Sequence, residues 1–210
     1  DPLADGPTIQ ASSQRALKRK LNLVQILQTV ANIREKSNIP IALMTYYNPV
    51  FCYGENQFVQ DAKKCGVDGI IIPDLPHEEA KEIIQLSRKH KLSTIFFVTP
   101  TTTAQRMKQI IKVTTGFIYY VSLTGVTGAN KKSLKGKMDI VHAMKKITQK
   151  PVCVGFGVST PTQVRTLAKV ADGVIVGSAI VNQIDCNKGK KNLVKNVAGF
   201  VWTLAKGLSS

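Results

Sequence analysis

Short apolar runs alternate with amphipathic stretches along the whole chain. Residues 39–44, 67–72, 93–98, 117–121, 152–155 and 173–176 are apolar at nearly every position. That pattern predicts strands buried on both faces of a parallel sheet. Between them the period changes to that of helices. Leu23, Ile26, Leu27, Val30 and Ile33 fall on one helical stripe, with Asn22 placed to cap it. Similar stripes pass through Phe58 and Ala62, Ala80, Ile83 and Ile84, Met107, Ile110 and Ile111, and Val141 and Met144. Gly66 reads as a helix stop, and Pro76, Ser159 and Ser178 as helix starts. A polar break at 187–191 precedes a last helix carrying Leu193, Val197, Val201 and Leu204. Repeated βα units of this kind specify an α/β fold, and no linker-like composition divides residues 1–210, so one domain is expected.

Composition changes this picture little. With 43% hydrophobic and 20% charged residues the chain suits a packed globular fold. No apolar run reaches the roughly 18 residues of a membrane span, and no signal-peptide pattern opens the sequence, so a soluble internal compartment is expected. Cys52, Cys65, Cys153 and Cys186 form no C-x-x-C pair, and most are expected to be core thiols. His77, His90 and His142 lack the i, i+4 spacing of a helical metal site, and two of them are expected in exposed helix turns. No metal is expected.

A formal charge of +16 raises the question of nucleic acid. The basic residues are mostly lysines placed on helix exteriors, among them Lys63, Lys64, Lys81, Lys89, Lys108, Lys112, Lys145 and Lys146, without interleaved aromatics. Abundant lysine, isoleucine and asparagine with few arginines also fit an AT-biased coding sequence. Solvated helix faces are therefore expected, with no nucleic-acid partner.

The chemistry enters with the last two strands. One runs into Gly155-Phe156-Gly157-Val158-Ser159 and the next into Gly177-Ser178 at a helix start. Glycines allow close backbone approach, and a helix N-terminus adds donors and a positive dipole end for an anion. Two such turns on consecutive strands predict a phosphate cradle, which in (β/α)8 barrels is frequently built from the loops after strands 7 and 8. Counting back makes residues 39–44 strand 3 of a TIM barrel. Strands 1 and 2, on the order of 50 residues, are then expected outside this sequence, which begins without methionine in a loop-like Asp1-Pro2-Leu3-Ala4-Asp5-Gly6-Pro7.

That opening segment, continued by Thr8-Ile9-Gln10, resembles the loop after the second strand of tryptophan synthase alpha chains. The resemblance continues through Tyr46-Tyr47-Asn48-Pro49, Pro73-Asp74-Leu75-Pro76 and Ser122-Leu123-Thr124-Gly125-Val126-Thr127-Gly128. It then reaches Gly155-Phe156-Gly157 and Gly177-Ser178-Ala179-Ile180-Val181, in order. Only the last 25 or so residues carry no such motif.

The resemblance implies retro-aldol cleavage of indole-3-glycerol phosphate to indole and glyceraldehyde 3-phosphate, with no cofactor on this chain. It implies that Asp5 hydrogen-bonds the indole nitrogen and that a glutamate ending strand 2, which would precede Asp1, serves as general acid and base. Tyr119 would line the indole pocket, and Thr127 and Gly128 would lie in a loop that closes over substrate. Gly128, Gly157, Gly177 and Ser178 would bind the phosphate.

The implied partner is a pyridoxal-phosphate beta subunit in an alpha2beta2 heterotetramer, facing loops that carry Asp1, Asn48, Asp74 and Pro76. The implied compartment is the cytoplasm, or the plastid stroma for an algal source. Two alternatives stand beside this reading: another phosphate-binding barrel enzyme, and a non-catalytic activator of the beta subunit.

Overall fold

The computed structural model describes residues 5–121, 131–155 and 157–208, the side chains of 131–137 excepted. The described helices are α1 (Pro7–Lys18), α2 (Leu23–Arg34), α3 (Tyr47–Tyr53), α4 (Glu55–Lys64), α5 (Lys81–Lys89), α6 (Ala104–Val113), α7 (Lys131–Ile147), α8 (Pro161–Ala168), α9 (Ser178–Cys186) and α10 (Leu193–Ala205). The strands are β1 (Ala42–Met44), β2 (Gly69–Ile71), β3 (Ser93–Ile95), β4 (Phe97–Val98), β5 (Ile118–Val121), β6 (Val152–Gly155) and β7 (Gly173–Ile175). They fall in two compact units: unit A, Ala16–Phe97 with Thr103–Ile118, and unit B, Asp1–Arg15, Val98–Thr102 and Tyr119–Ser210.

In unit A, β1, β2 and β3 form a parallel sheet in that order, with Ala42 opposite Gly69 and Gly69 opposite Ser93. Helix α4 buries Phe58, Val59 and Ala62, α5 buries Ile83 and Ile84, and α6 buries Met107, Ile110 and Ile111. These are the stripes that the 3.6-residue period selects. Asn22 caps α2 in a reciprocal box with Gln25, as its position predicts.

At the other end of α2, Arg34 ties the helix to the strand entrances. Its Nε donates to the Gly66 carbonyl at 2.7 Å, and its guanidinium also meets the Ile39 carbonyl and the Asp68 carboxylate. Asp68 in turn accepts the Ile41 N–H at 2.8 Å. Gly66 stops α4 at φ +92°, and a Cβ there would stand 2.5 Å from Arg34 Cγ. Only glycine satisfies both constraints.

In unit B the sheet order is β4-β5-β6-β7, and β6 and β7 pair in parallel with Gly155 opposite Ile175. Asp172, just before β7, joins this sheet to its helical layer. One carboxylate oxygen accepts from Lys145 Nζ at 2.6 Å and the other from the Val152 N–H at 2.9 Å. Lys145, then the Val152 amide, hold this carboxyl below the ordinary carboxylate range. A depressed carboxyl contributes stability above its unfolded pKa, near 4, and that contribution is lost as pH falls through the lower folded value. Asp172→Asn should lower Tm by about 2–4 °C at neutral pH, the equivalent of roughly 1 kcal/mol for a half-exposed pair in a chain of this size. The difference from the unsubstituted protein should close below pH 3. Thermal scans between pH 2 and 7 measure both.

All six predicted strand segments contain strands, 152–155 with its predicted bounds and the others trimmed or, for the third, divided at Phe96 into β3 and β4. Several local readings need correction. Pro76 opens a turn, its carbonyl accepting from Glu79 and Ala80, and α5 begins at Lys81. Thr160 caps α8 with Gln163, where Ser159 was expected to start it. The Tyr46-to-Pro49 segment enters helix α3, and α1 follows directly on Gly6. Cys52 and Cys186 are exposed, and Cys65 and Cys153 are half-buried, so the thiols are not core groups. His142 is exposed on α7 while His77 and His90 are half-buried, so one histidine rather than two sits on an exposed helix turn. All eight of the lysines named above are exposed. Among the described residues no helix is long and apolar enough to cross a membrane.

Candidate active site

Every residue on which the sequence places the reaction belongs to unit B. Thr127 and Gly128 lie outside the described residues, as does Asp1 among the proposed partner contacts. The others can be located.

The parallel pairing of β6 and β7 sets the phosphate turns. Gly155 stands opposite Ile175, so Gly157 and Gly177 each lie two residues beyond the same paired row, at one end of the sheet. Gly157 is exposed and turns at φ +63°, a conformation that L side chains rarely adopt. Gly177 is the residue before α9, Ser178 is its first residue, and both are exposed. The first-turn N–H groups of a helix have no partner within the helix, so this end of α9 offers donors and the positive dipole end together. A Cβ at Gly177 would meet nothing within 4 Å, which leaves open space over the turn.

Beside these turns, β5 alternates. Ile118 and Tyr120 are buried, while Tyr119 and Val121 are half-exposed on the other face. Tyr119 reaches across β6. A Cβ at Gly155 would fall 2.9 Å from the Tyr119 hydroxyl oxygen and 2.8 Å from Ile175 Cβ. Gly155 is thus the gap that lets the tyrosine ring lie over the strand next to Ile175. Burial first, and then the neighbouring Cys153, push the Tyr119 phenol above its ordinary value, so it is a neutral donor at physiological pH. Burial likewise raises the Cys153 thiol. Tyr119 and Ile175, both half-buried, close over Gly155.

Asp5 is half-exposed just ahead of α1. Its carbonyl accepts from Gln10 Nε2 at 2.8 Å, and the Gly6 carbonyl accepts from Ile9 and Gln10, so the aspartate is fixed to the start of that helix.

The described partner-facing candidates are in unit A. Asn48 is exposed on α3, Asp74 is exposed after β2, and Pro76 is half-buried in its turn. The structure joins two of these segments, because both Asp74 carboxylate oxygens accept the Tyr47 N–H, at 2.8 and 3.1 Å. It also shows a contact that the sequence did not suggest. The Tyr47 hydroxyl donates to Glu55 at 3.0 Å, and burial holds the Glu55 carboxyl above its ordinary value.

Comparison with known proteins settles the family. A profile of the family Tryptophan synthase alpha chain matches residues 1–208. The tryptophan synthase alpha chain of Geotalea daltonii is 46% identical over 210 residues, which are 100% of this chain and 79% of the relative. The chain belongs to the tryptophan synthase alpha chain family. Its function is accordingly that of this lyase family in tryptophan biosynthesis.

Solved structures agree. The tryptophan synthase alpha subunit of Legionella pneumophila superposes with a TM-score of 0.90 at 35% identity, covering 100% of this chain and 78% of the other. The alpha subunit in a structure of the tryptophan synthase α2β2 complex of Pyrococcus furiosus gives 0.88 at 41% identity, covering 100% and 83%. The α/β fold is therefore that of these tryptophan synthase alpha structures over the part the chain spans, and the reading as an unrelated phosphate-binding barrel falls away.

Proposed function

We propose that the chain takes part, as a tryptophan synthase alpha chain, in cleaving indole-3-glycerol phosphate into indole and glyceraldehyde 3-phosphate, with its candidate substrate-binding residues in unit B. In the forward step the indole C3 gains a proton, a glycerol hydroxyl loses one, and the bond between C3 and the carbinol carbon breaks to leave an aldehyde. Asp5 takes the ring N–H and the positive charge that grows there, and Tyr119 lines the ring. Gly128, Gly157, Gly177 and Ser178 hold the phosphate, and Thr127 and Gly128 close over the substrate. No cofactor is assigned to this chain.

The finer fold assignment belongs to the same proposal: residues 1–210 are one partial (β/α)8-barrel domain whose strand segments are strands 3 to 8. Also proposed is docking of a pyridoxal-phosphate beta subunit on the loops that carry Asp1, Asn48, Asp74 and Pro76. The α2β2 complex of the Pyrococcus furiosus relative supports it. The compartment would be the cytoplasm, or the plastid stroma for an algal source.

The observation that carries the reading is the in-register pairing of β6 with β7, which sets Gly157 and Gly177-Ser178 at one sheet end. Gly177→Val tests it with the least disturbance, since its Cβ meets no protein atom within 4 Å. The variant should keep its far-UV spectrum and lose at least about 10-fold in affinity for inorganic phosphate and for indole-3-glycerol phosphate by calorimetry, the scale of one or two charge-assisted hydrogen bonds. Unchanged affinity in a folded Gly177→Val protein rules the site out.

A further inference from the structure

We propose that unit B carries a second anion site, a depression between helices α7 and α8 that takes the phosphate ester of a sugar or polyol.

The depression is an open cavity of about 670 Å³. One wall is α7, with Asp139, His142, Lys145 and Lys146, and the other is the end of α8, with Lys169. Ala143 and Val170 add small apolar surface between them. Chain order sets its place. Helix α7 joins β5 to β6 and α8 joins β6 to β7, and each helix ends ahead of the strand that follows it. Lys145, Lys146 and Lys169 therefore stand where β6 and β7 begin, whereas Gly157 and Gly177 follow the far ends of these two parallel strands. A ligand in the depression does not compete for the phosphate turns.

The cations differ in how they are held. Lys145 donates to Asp172 at 2.6 Å, and the other oxygen of that carboxylate is fixed by the Val152 N–H at 2.9 Å. An ammonium has three donors, so Lys145 is held in place with donors left over for a ligand. Among the described residues Lys146 and Lys169 make no ion pair, and their charges are uncompensated. Cations that converge from two elements on a concave wall, in a chain of net charge +16, concentrate anions there. The negative dipole ends of α7 and α8 account for lysines in their last turns. They do not account for His142 and Asp139, which precede the last turn of α7 on the face that leads to Lys146, at successive steps of three and four residues.

Asp139 decides the class of ligand. A carboxylate repels a bare anion and accepts a hydrogen bond from a hydroxyl. It lies seven residues before Lys146, about 10 Å along the helix axis. The pair suits a molecule with a phosphate at the lysine end and hydroxyl groups at the other, with the His142 ring between them.

The test uses the whole chain, with ribose 5-phosphate, inorganic phosphate and ribose as probes and the ring-proton NMR signals of its three histidines as the readout. At constant pH and ionic strength ribose 5-phosphate should move the His142 signal saturably, with a Kd on the order of 1 mM, and leave His77 and His90 in place. Inorganic phosphate should bind about 5-fold more weakly, and ribose should move nothing. Lys146→Ala and Lys169→Ala should each weaken ribose 5-phosphate by about 5-fold with unchanged far-UV spectra, since both side chains are exposed. Asp139→Ala should abolish the preference for the sugar by tightening inorganic phosphate. Gly177→Val should leave the His142 titration as it is. A His142 signal that stays in place, that moves without saturating, or that no longer responds in Gly177→Val overturns the site. Equal affinity for inorganic phosphate and ribose 5-phosphate overturns the ligand class. A short DNA duplex that moves His142 at a phosphate concentration about 10-fold lower than ribose 5-phosphate makes the wall a polyanion surface and overturns the proposal.

Discussion

Asp5→Ala should lower the rate of indole release by about 10²- to 10³-fold, the range seen when one preorganised partner of a developing charge is removed from a water-excluded site. The charge in question forms on the indole nitrogen as C3 is protonated, so the loss should appear in kcat with little change in KM. Asp5→Asn should fall between the two proteins, because it retains an acceptor oxygen for the ring N–H but not the negative charge. One contact that fixes Asp5 to α1 runs through its main-chain carbonyl, to Gln10 Nε2 at 2.8 Å, and survives either substitution. The measurement is steady-state indole release from indole-3-glycerol phosphate, in a protein that also supplies the glutamate discussed below. A kcat for Asp5→Ala within threefold of the unsubstituted value would remove Asp5 from the mechanism.

The strands were the most legible part of the sequence. Ile70, Ile71, Val152 and Val154 are buried, and a run of such residues has few other uses. Helices with a tertiary stripe were legible for the same reason. Helix α1 was not. It buries no residue at all, and Ser12, Ser13 and Gln14 interrupt any apolar period, so its pattern resembles a loop. Helix α3 was hidden by Pro49, which suggests a turn but is tolerated in the first turn of a helix, where the missing N–H has no helical acceptor anyway. Its cap comes from Asp74, 27 residues on, and no local motif announces a partner at that distance. The division of the third strand at Phe96 also has no local signal, because residues 93–98 read as one continuous run.

The candidate site divides along the same line. Gly157 and Gly177 could be found from strand-end glycines, and the pairing of β6 with β7 follows from their order. The role of Gly155 as the gap under Tyr119 could not, since it depends on a neighbour 36 residues earlier coming within 2.9 Å of a position that carries no side chain.

The largest expected effect concerns the glutamate proposed as general acid and base. The carboxylates of unit B are all aspartates: Asp1, Asp5, Asp139, Asp172 and Asp185. Asp172 is tied to Lys145 and Val152, and Asp185 pairs with Arg15 at 3.4 Å. The five glutamates, Glu35, Glu55, Glu78, Glu79 and Glu82, all belong to unit A, and none lies on a strand. Glu78 is engaged by Arg106 at 2.8 Å and Glu55 by Tyr47 at 3.0 Å. The proposed mechanism takes its general acid and base instead from a glutamate that would precede Asp1.

Placing before Asp1 a two-strand segment whose second strand ends in glutamate should raise indole release by about 10²- to 10⁴-fold over the 210-residue chain, the usual contribution of such a group. The same addition would act on the fold. β1 stands at the end of its sheet with Met44 57% exposed, and β7 stands at the end of the other with all of its residues half-exposed. Sheet-end strands with exposed side chains favour association, and a strand added beside one would cover it. Chemistry and folding are separated by an extended protein that carries glutamine in place of the glutamate. It should be as soluble and as thermally stable as the glutamate form, bind indole-3-glycerol phosphate with similar affinity, and release indole no faster than the 210-residue chain. If the glutamine form turned over at the rate of the glutamate form, acid-base catalysis would have to come from another carboxylate of the chain, and Asp139→Asn would be the next substitution to make.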